Sequence, residues 1–77
     1  MDVIRQLRIP VYDLGCGGAG SATIERELAA SDGVLRVYVN PATEMAYVDY
    51  DSAETDAWTL ARVIEQAGYR AGQPVEA

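Results

Sequence analysis

Between two runs of alternating apolar and polar residues stands Asn40-Pro41-Ala42-Thr43, and this short break constrains the fold more than any other feature. Proline presets φ for a turn and asparagine caps its own backbone two residues on, so the chain reverses here. The run at 34–39 must then pair antiparallel with the run at 45–50. With 77 residues in total, no length is left for the repeated crossovers of a doubly wound parallel sheet. One core and one domain spanning 1–77 are expected.

The remaining elements follow from periodicity. Val3, Leu7, Ile9 and Val11 form an odd-numbered apolar face broken by Arg5, the period of a half-buried strand. A glycine-rich stretch at 14–20 ends it. Ser21 is then placed as an N-cap, with Ile24 and Leu28 at i, i+4 spacing, which predicts a helix over about 19–31 closed by Asp32-Gly33. Leu35, Val37 and Val39 are expected inward on strand two, with Arg36 and Tyr38 outward. Ala46, Val48 and Tyr50 continue that inward face on strand three, opposite Met45, Tyr47 and Asp49. The acidic run Asp49, Asp51, Glu54 and Asp56 reads as solvated residues with capping duty rather than a calcium site. Helix two is expected over 56–66, with Trp58 as its packing anchor, and a short edge strand over 69–75 that tolerates Pro74.

Strand, helix, strand, strand, helix, strand packs most simply as two helices on one face of a four-stranded antiparallel sheet, an α+β, ferredoxin-like βαββαβ sandwich. In that topology the loop at 14–20, the hairpin at 40–44 and the Gly68-Tyr69 step share one pole.

Composition removes whole classes of function. There is no histidine, so Ser-His-Asp and Cys-His catalysis and histidine metal sites are impossible within this chain, and no enzyme is expected. The formal charge of −6 disfavours nucleic acid and anionic membranes and steers the domain toward a protein with a basic docking surface. No apolar run is long enough to span a bilayer, and the first residues lack a secretory pattern, so no membrane insertion and a cytoplasmic address are expected. The single cysteine, Cys16, agrees, since one thiol cannot form an intramolecular disulfide.

The loop itself has three readings. Gly15, Gly17 and Gly20 spell G-x-G-x-x-G, but a dinucleotide fingerprint needs a parallel βαβ context that the Asn40-Pro41 hairpin denies. Cys16 beside a helix N-terminus could be an activated, approachable thiol. It could equally be a small filler among turn-forming glycines.

Specific residues add a resemblance. Leu14-Gly15-Cys16 is similar to the Met-Thr-Cys step of the consensus G-M-T-C-x-x-C. Ile24-Glu25-Arg26-Glu27-Leu28 resembles the helix after it, Gly33-Val34 with Val37, Val39 and Asn40 the G-V-x-x-V-x-V-N strand, and Ala46-x-Val48-x-Tyr50-Asp51 the third strand. Ile64-Glu65-Gln66-Ala67-Gly68-Tyr69 resembles the I-E-x-A-G-Y ending. Over about 7–71 the chain thus resembles the heavy-metal-associated family of copper-chaperone-like domains. The resemblance implies binding or delivery of copper(I) or another soft ion by loop thiolates, with Tyr69 over the loop and no metal required for folding. It also implies a partner such as a metal-transporting ATPase or a second copy.

This sequence departs from that pattern at the loop. If Cys16 is the first family cysteine, Ala19 stands at the second; counted back from Ile24, Gly17 and Gly20 replace both. Either way the chelate is lost. The expected metal residue is Cys16 alone, completed by glutathione, a partner's thiolate or Cys16 of a second copy. Met45 is a weaker thioether candidate, since a lone methionine on a strand more often packs. The alternative is a metal-independent interaction or regulatory module that uses its acidic surface or the open sheet face. There Arg8, Tyr12, Arg36, Tyr38 and Tyr47 should project. Aromatics and arginines on a sheet suit stacked RNA bases, but the overall charge and the absence of an RNP-like stretch oppose that use.

Overall fold

The computed structural model describes residues 3–12, 14 and 19–76, the side chain of Ala19 excepted. Its elements are β1 (Ile4–Tyr12), α1 (Ala19–Ala29), β2 (Val34–Asn40), β3 (Met45–Asp51), α2 (Ala57–Gln66), β4 (Arg70–Ala71) and β5 (Val75–Glu76). The antiparallel sheet runs β2-β3-β1-β4, with β5 also on β1. This is the expected ferredoxin-like arrangement, and β2 is an edge strand.

One apolar layer lies between sheet and helices. β1 contributes Leu7, Ile9 and Val11, β3 contributes Ala46, Val48 and Tyr50, α1 contributes Ile24 and Leu28, and α2 contributes Leu60 and Ile64. Period-2 alternation on the strands and i, i+4 spacing on the helices put these residues on facing surfaces. Each large aliphatic side chain so buried contributes roughly 1.5–3 kcal/mol. Glu25 ties α1 to the sheet differently, its Oε2 accepting a 2.8 Å hydrogen bond from the Val39 N–H.

Four details depart from the sequence reading. The strand expected over 69–75 is split. Val11 pairs with Ala71 but Leu7 with Glu76, so β1 advances four residues while its partner advances five, and the extra residue divides β4 from β5. Gly72 N–H bonds to Pro10 O at 2.8 Å beside the break. Leu35 is not inward but 60% exposed, because a register shift between Val34 and Arg36 forms a bulge that turns it out. Ser21 is not an N-cap, since α1 begins at Ala19.

The fourth departure concerns Trp58, which is no packing anchor and is 66% exposed. The inward stripe of α2 is Leu60, Ala61 and Ile64, and at 100° per residue Trp58 falls on the other side. Helix two is otherwise as expected. Asp56 caps it by accepting the Thr59 N–H at 2.8 Å, and Asp51 accepts from Ala53 at 2.9 Å, so two acids of the 49–56 run have capping duty.

Candidate functional site

The pole expected to gather the loop, the hairpin and the α2–β4 junction is assembled by backbone contacts. Val11 N–H donates to Glu44 O at 2.9 Å, bringing the hairpin tip to the end of β1, and Tyr12 pairs with Arg70 of β4. The hairpin turns as its sequence requires: Asn40 Oδ1 accepts from Ala42 N–H at 2.9 Å, and Glu44 takes a left-handed φ of 54° to enter β3.

Tyr69 reaches this pole through the end of α2. Gly68 has φ 100°, its N–H bonds to Glu65 O at 3.0 Å, and the Tyr69 N–H bonds back to Ile64 O at 3.3 Å. These two bonds around a left-handed residue make a Schellman stop. The half-buried Tyr69 ring packs on the core and against the first turn of α1: a Cβ on Gly20 would lie 3.0 Å from Tyr69 Oη, 3.2 Å from Cε1 and 2.9 Å from Leu14 O. Tyr69 therefore packs on the core and against the first turn of α1, while its expected place over the loop concerns residues 15–18, which lie outside the described residues. Leu14, at the loop's other end, is buried in the same core.

Cys16, Gly15, Gly17 and Gly18 lie outside the described residues, and the metal assignment to Cys16 rests on sequence. Among the described residues no group of three or more His, Cys, Asp or Glu side chains could hold a metal ion. Met45 opens β3. It sits across from Pro10, on the strand face opposite buried Ala46 and Val48.

On that open face Tyr38 and Tyr47 stack across β2 and β3, with ring centroids 6.1 Å apart and planes at 15°. Arg8, Tyr12 and Arg36 are exposed with them, as the alternation required. The perturbed ionisations lie at the opposite pole. Burial and the hydrogen bond to Glu76 push Tyr50 up to about 12, and hydrogen bonds from Thr59 lower the Asp56 carboxyl. Among the described residues no helix is long and apolar enough to cross a membrane.

A family model described as the heavy-metal-associated domain matches residues 11–70. The copper-exporting P-type ATPase of Staphylococcus aureus (strain Newman) is 38% identical over 68 residues, which is 88% of this chain and 8% of the ATPase. The chain thus spans a small fraction of the length of that relative. A copper binding domain from HMA7, a P-type ATPase, superposes with a TM-score of 0.87 at 25% identity, covering 94% of this chain and 96% of that one. The CopZ metallochaperone superposes with a TM-score of 0.80 at 27% identity, covering 87% of this chain and 98% of CopZ. Because the match opens in β1 and closes in β4, taking in the loop, both helices and the hairpin, this chain belongs to the heavy-metal-associated domain family.

Proposed function

We propose that this domain is a non-enzymatic module that binds or delivers a soft metal ion of the copper(I) type through the single thiolate of Cys16. The observation that carries the reading is family membership across 11–70 in a chain with one cysteine and no histidine. Soft ions prefer thiolates. One thiolate holds such an ion tightly only when a second ligand arrives from outside, whether glutathione, a partner's thiol or Cys16 of another copy, so transfer is intermolecular by construction. A metal-transporting ATPase with a basic docking surface suits the −6 charge and the relatives' description. A cytoplasmic address belongs to the same reading, because the ligand must stay a reduced thiol. In this reading folding rests on the apolar core between sheet and helices and requires no metal.

Titration of copper(I) into wild type and Cys16→Ala against a competing chelator tests this. Wild type should withhold copper, more strongly when glutathione is added, and Cys16→Ala should not. Equal weak binding by both removes the metal role.

A second reading, a metal-independent interaction module, is favoured by the exposed Tyr38–Tyr47 stack with Arg8 beside it, since tyrosine and arginine dominate protein interfaces. It expects partners captured by wild type to survive Cys16→Ala and to be lost on Tyr38→Ala/Tyr47→Ala.

A further inference from the structure

We infer that the outer edge of β2 is a pairing edge for a second copy of this chain, and that Glu25 holds it shut. β2 ends the sheet, and an unpaired edge is a template for strand addition. The Val39 N–H does not point to β3. It donates to the Glu25 carboxylate at 2.8 Å, so it lies on the open side, and ladder alternation puts the N–H and C=O of Val37 on that side too. The bulge between Val34 and Arg36 ends the usable edge at its other side. What remains is short and defined: the backbone N–H and C=O groups of Val37 and Val39 point to the open edge while their side chains stay on the core side, and one of the two N–H groups is already taken.

A second copy fits this edge because the edge is self-complementary. Twofold antiparallel pairing about Tyr38 sets Val37 of each copy opposite Val39 of the other, the register in which every outward N–H meets an outward C=O. Tyr38 then faces Tyr38 of the second copy. It is 55% exposed and already stacked on Tyr47, so the tyrosine row would continue across the joint with aromatic cross-strand contacts. Arg36 falls opposite Asn40, and no like charges meet along the strand. The Val39 N–H must be free for this, which gives Glu25 control: while its carboxylate holds that donor, half of the joining hydrogen bonds cannot form.

Sedimentation velocity on the full chain, metal-free and with enough salt to screen the net charge, tests the inference independently of the metal reading. Wild type should run as a monomer, as should Glu25→Gln, whose amide oxygen can still accept from Val39. Glu25→Ala should run as a dimer. Glu25→Ala/Tyr38→Lys, which sets two positive charges face to face on the axis, should return to monomer. Amide exchange at Val37 and Val39 should slow with rising concentration in Glu25→Ala and not in wild type or Glu25→Gln. Should that variant fail to fold, Glu25→Asp withdraws the acceptor while keeping the charge and should dimerise likewise. A folded variant that stays monomeric at millimolar concentration overturns the inference. So does a wild type that is itself a β2-paired dimer, or a Glu25→Ala dimer indifferent to Tyr38→Lys.

Discussion

The Tyr69 ring lies so close against Gly20 that a Cβ there would come within 3.0 Å of the phenol oxygen. Counted back from Ile24, Gly20 is where the family's second cysteine would stand, and here that space is filled by an aromatic ring and by the Leu14 carbonyl. Gly20→Ala should therefore cost roughly 1–3 kcal/mol of stability through overpacking. Combined with Tyr69→Ala it should cost less than the sum of the two single changes, because one of the two crowding groups is gone. The Leu14 carbonyl belongs to the backbone and stays, so recovery is partial. Urea denaturation of the four proteins in the cycle measures the coupling, and strict additivity would refute the contact.

Tyr69 is aimed by Gly68, whose φ of 100° sits beside open space where a Cβ would go. Gly68→Ala thus isolates backbone strain from crowding. It should cost about 1–2 kcal/mol, the penalty of a left-handed alanine, and Gly68→Asn should cost less. The amide resonance of Gly20 should shift in both, reporting that the ring above it has moved.

How far the sequence predicts these features depends on whether one residue's own chemistry decides them. The Asn40-Pro41 turn and the capping duty of Asp56 each follow from side chains at the spot, and the structure places both where the sequence implied. Leu35 was misplaced because alternation is blind to an inserted residue: one bulge turned an apolar side chain outward. Trp58 was misplaced because the mixed period of helix two does not fix which face is inward, and the stripe of Leu60, Ala61 and Ile64 fills that face. The hold of Glu25 on Val39 depends on how α1 lies along β2, which no local pattern encodes. A carboxylate directly after the buried Ile24 was its only trace. The pole around Tyr69 was legible from topology, whereas the space at Gly20 is a tertiary quantity.

At the far pole, the Asp56 carboxylate is held low by its bonds to Thr59. A depressed carboxyl contributes stability above its unfolded pKa and loses it as pH falls through the folded value. Asp56→Ala should lower the melting temperature at neutral pH, Asp56→Asn should lower it less because its oxygen still caps, and wild type and Asp56→Ala should converge as the pH drops below the carboxylate range. Thermal melts across acidic pH read this directly.

Tyr50 gives the opposite limb. It is 3% exposed, its hydroxyl donates to Glu76 Oε2 at 2.6 Å, and Arg5 bonds the other oxygen of the same carboxylate at 3.2 Å. Burial first, then the hydrogen bond and negative charge of Glu76, raise the phenol from 10.0 to about 12. The folded chain therefore keeps a proton that the unfolded chain releases above pH 10, and its stabilising effect is complete below that pH. Between pH 10 and 12 the free energy of unfolding should fall by up to about 1.4 kcal/mol per pH unit from this group. Because Glu76 lies on β5, ionisation should loosen that strand first, exposing the β1 edge at Leu7 and Arg8 before the core gives way. Tyr50→Phe should be less stable at neutral pH for want of the hydrogen bond, yet should show a shallower decline above pH 10. Urea midpoints from pH 8 to 12 test both, and parallel declines in the two proteins would show that Tyr50 is not the group responsible.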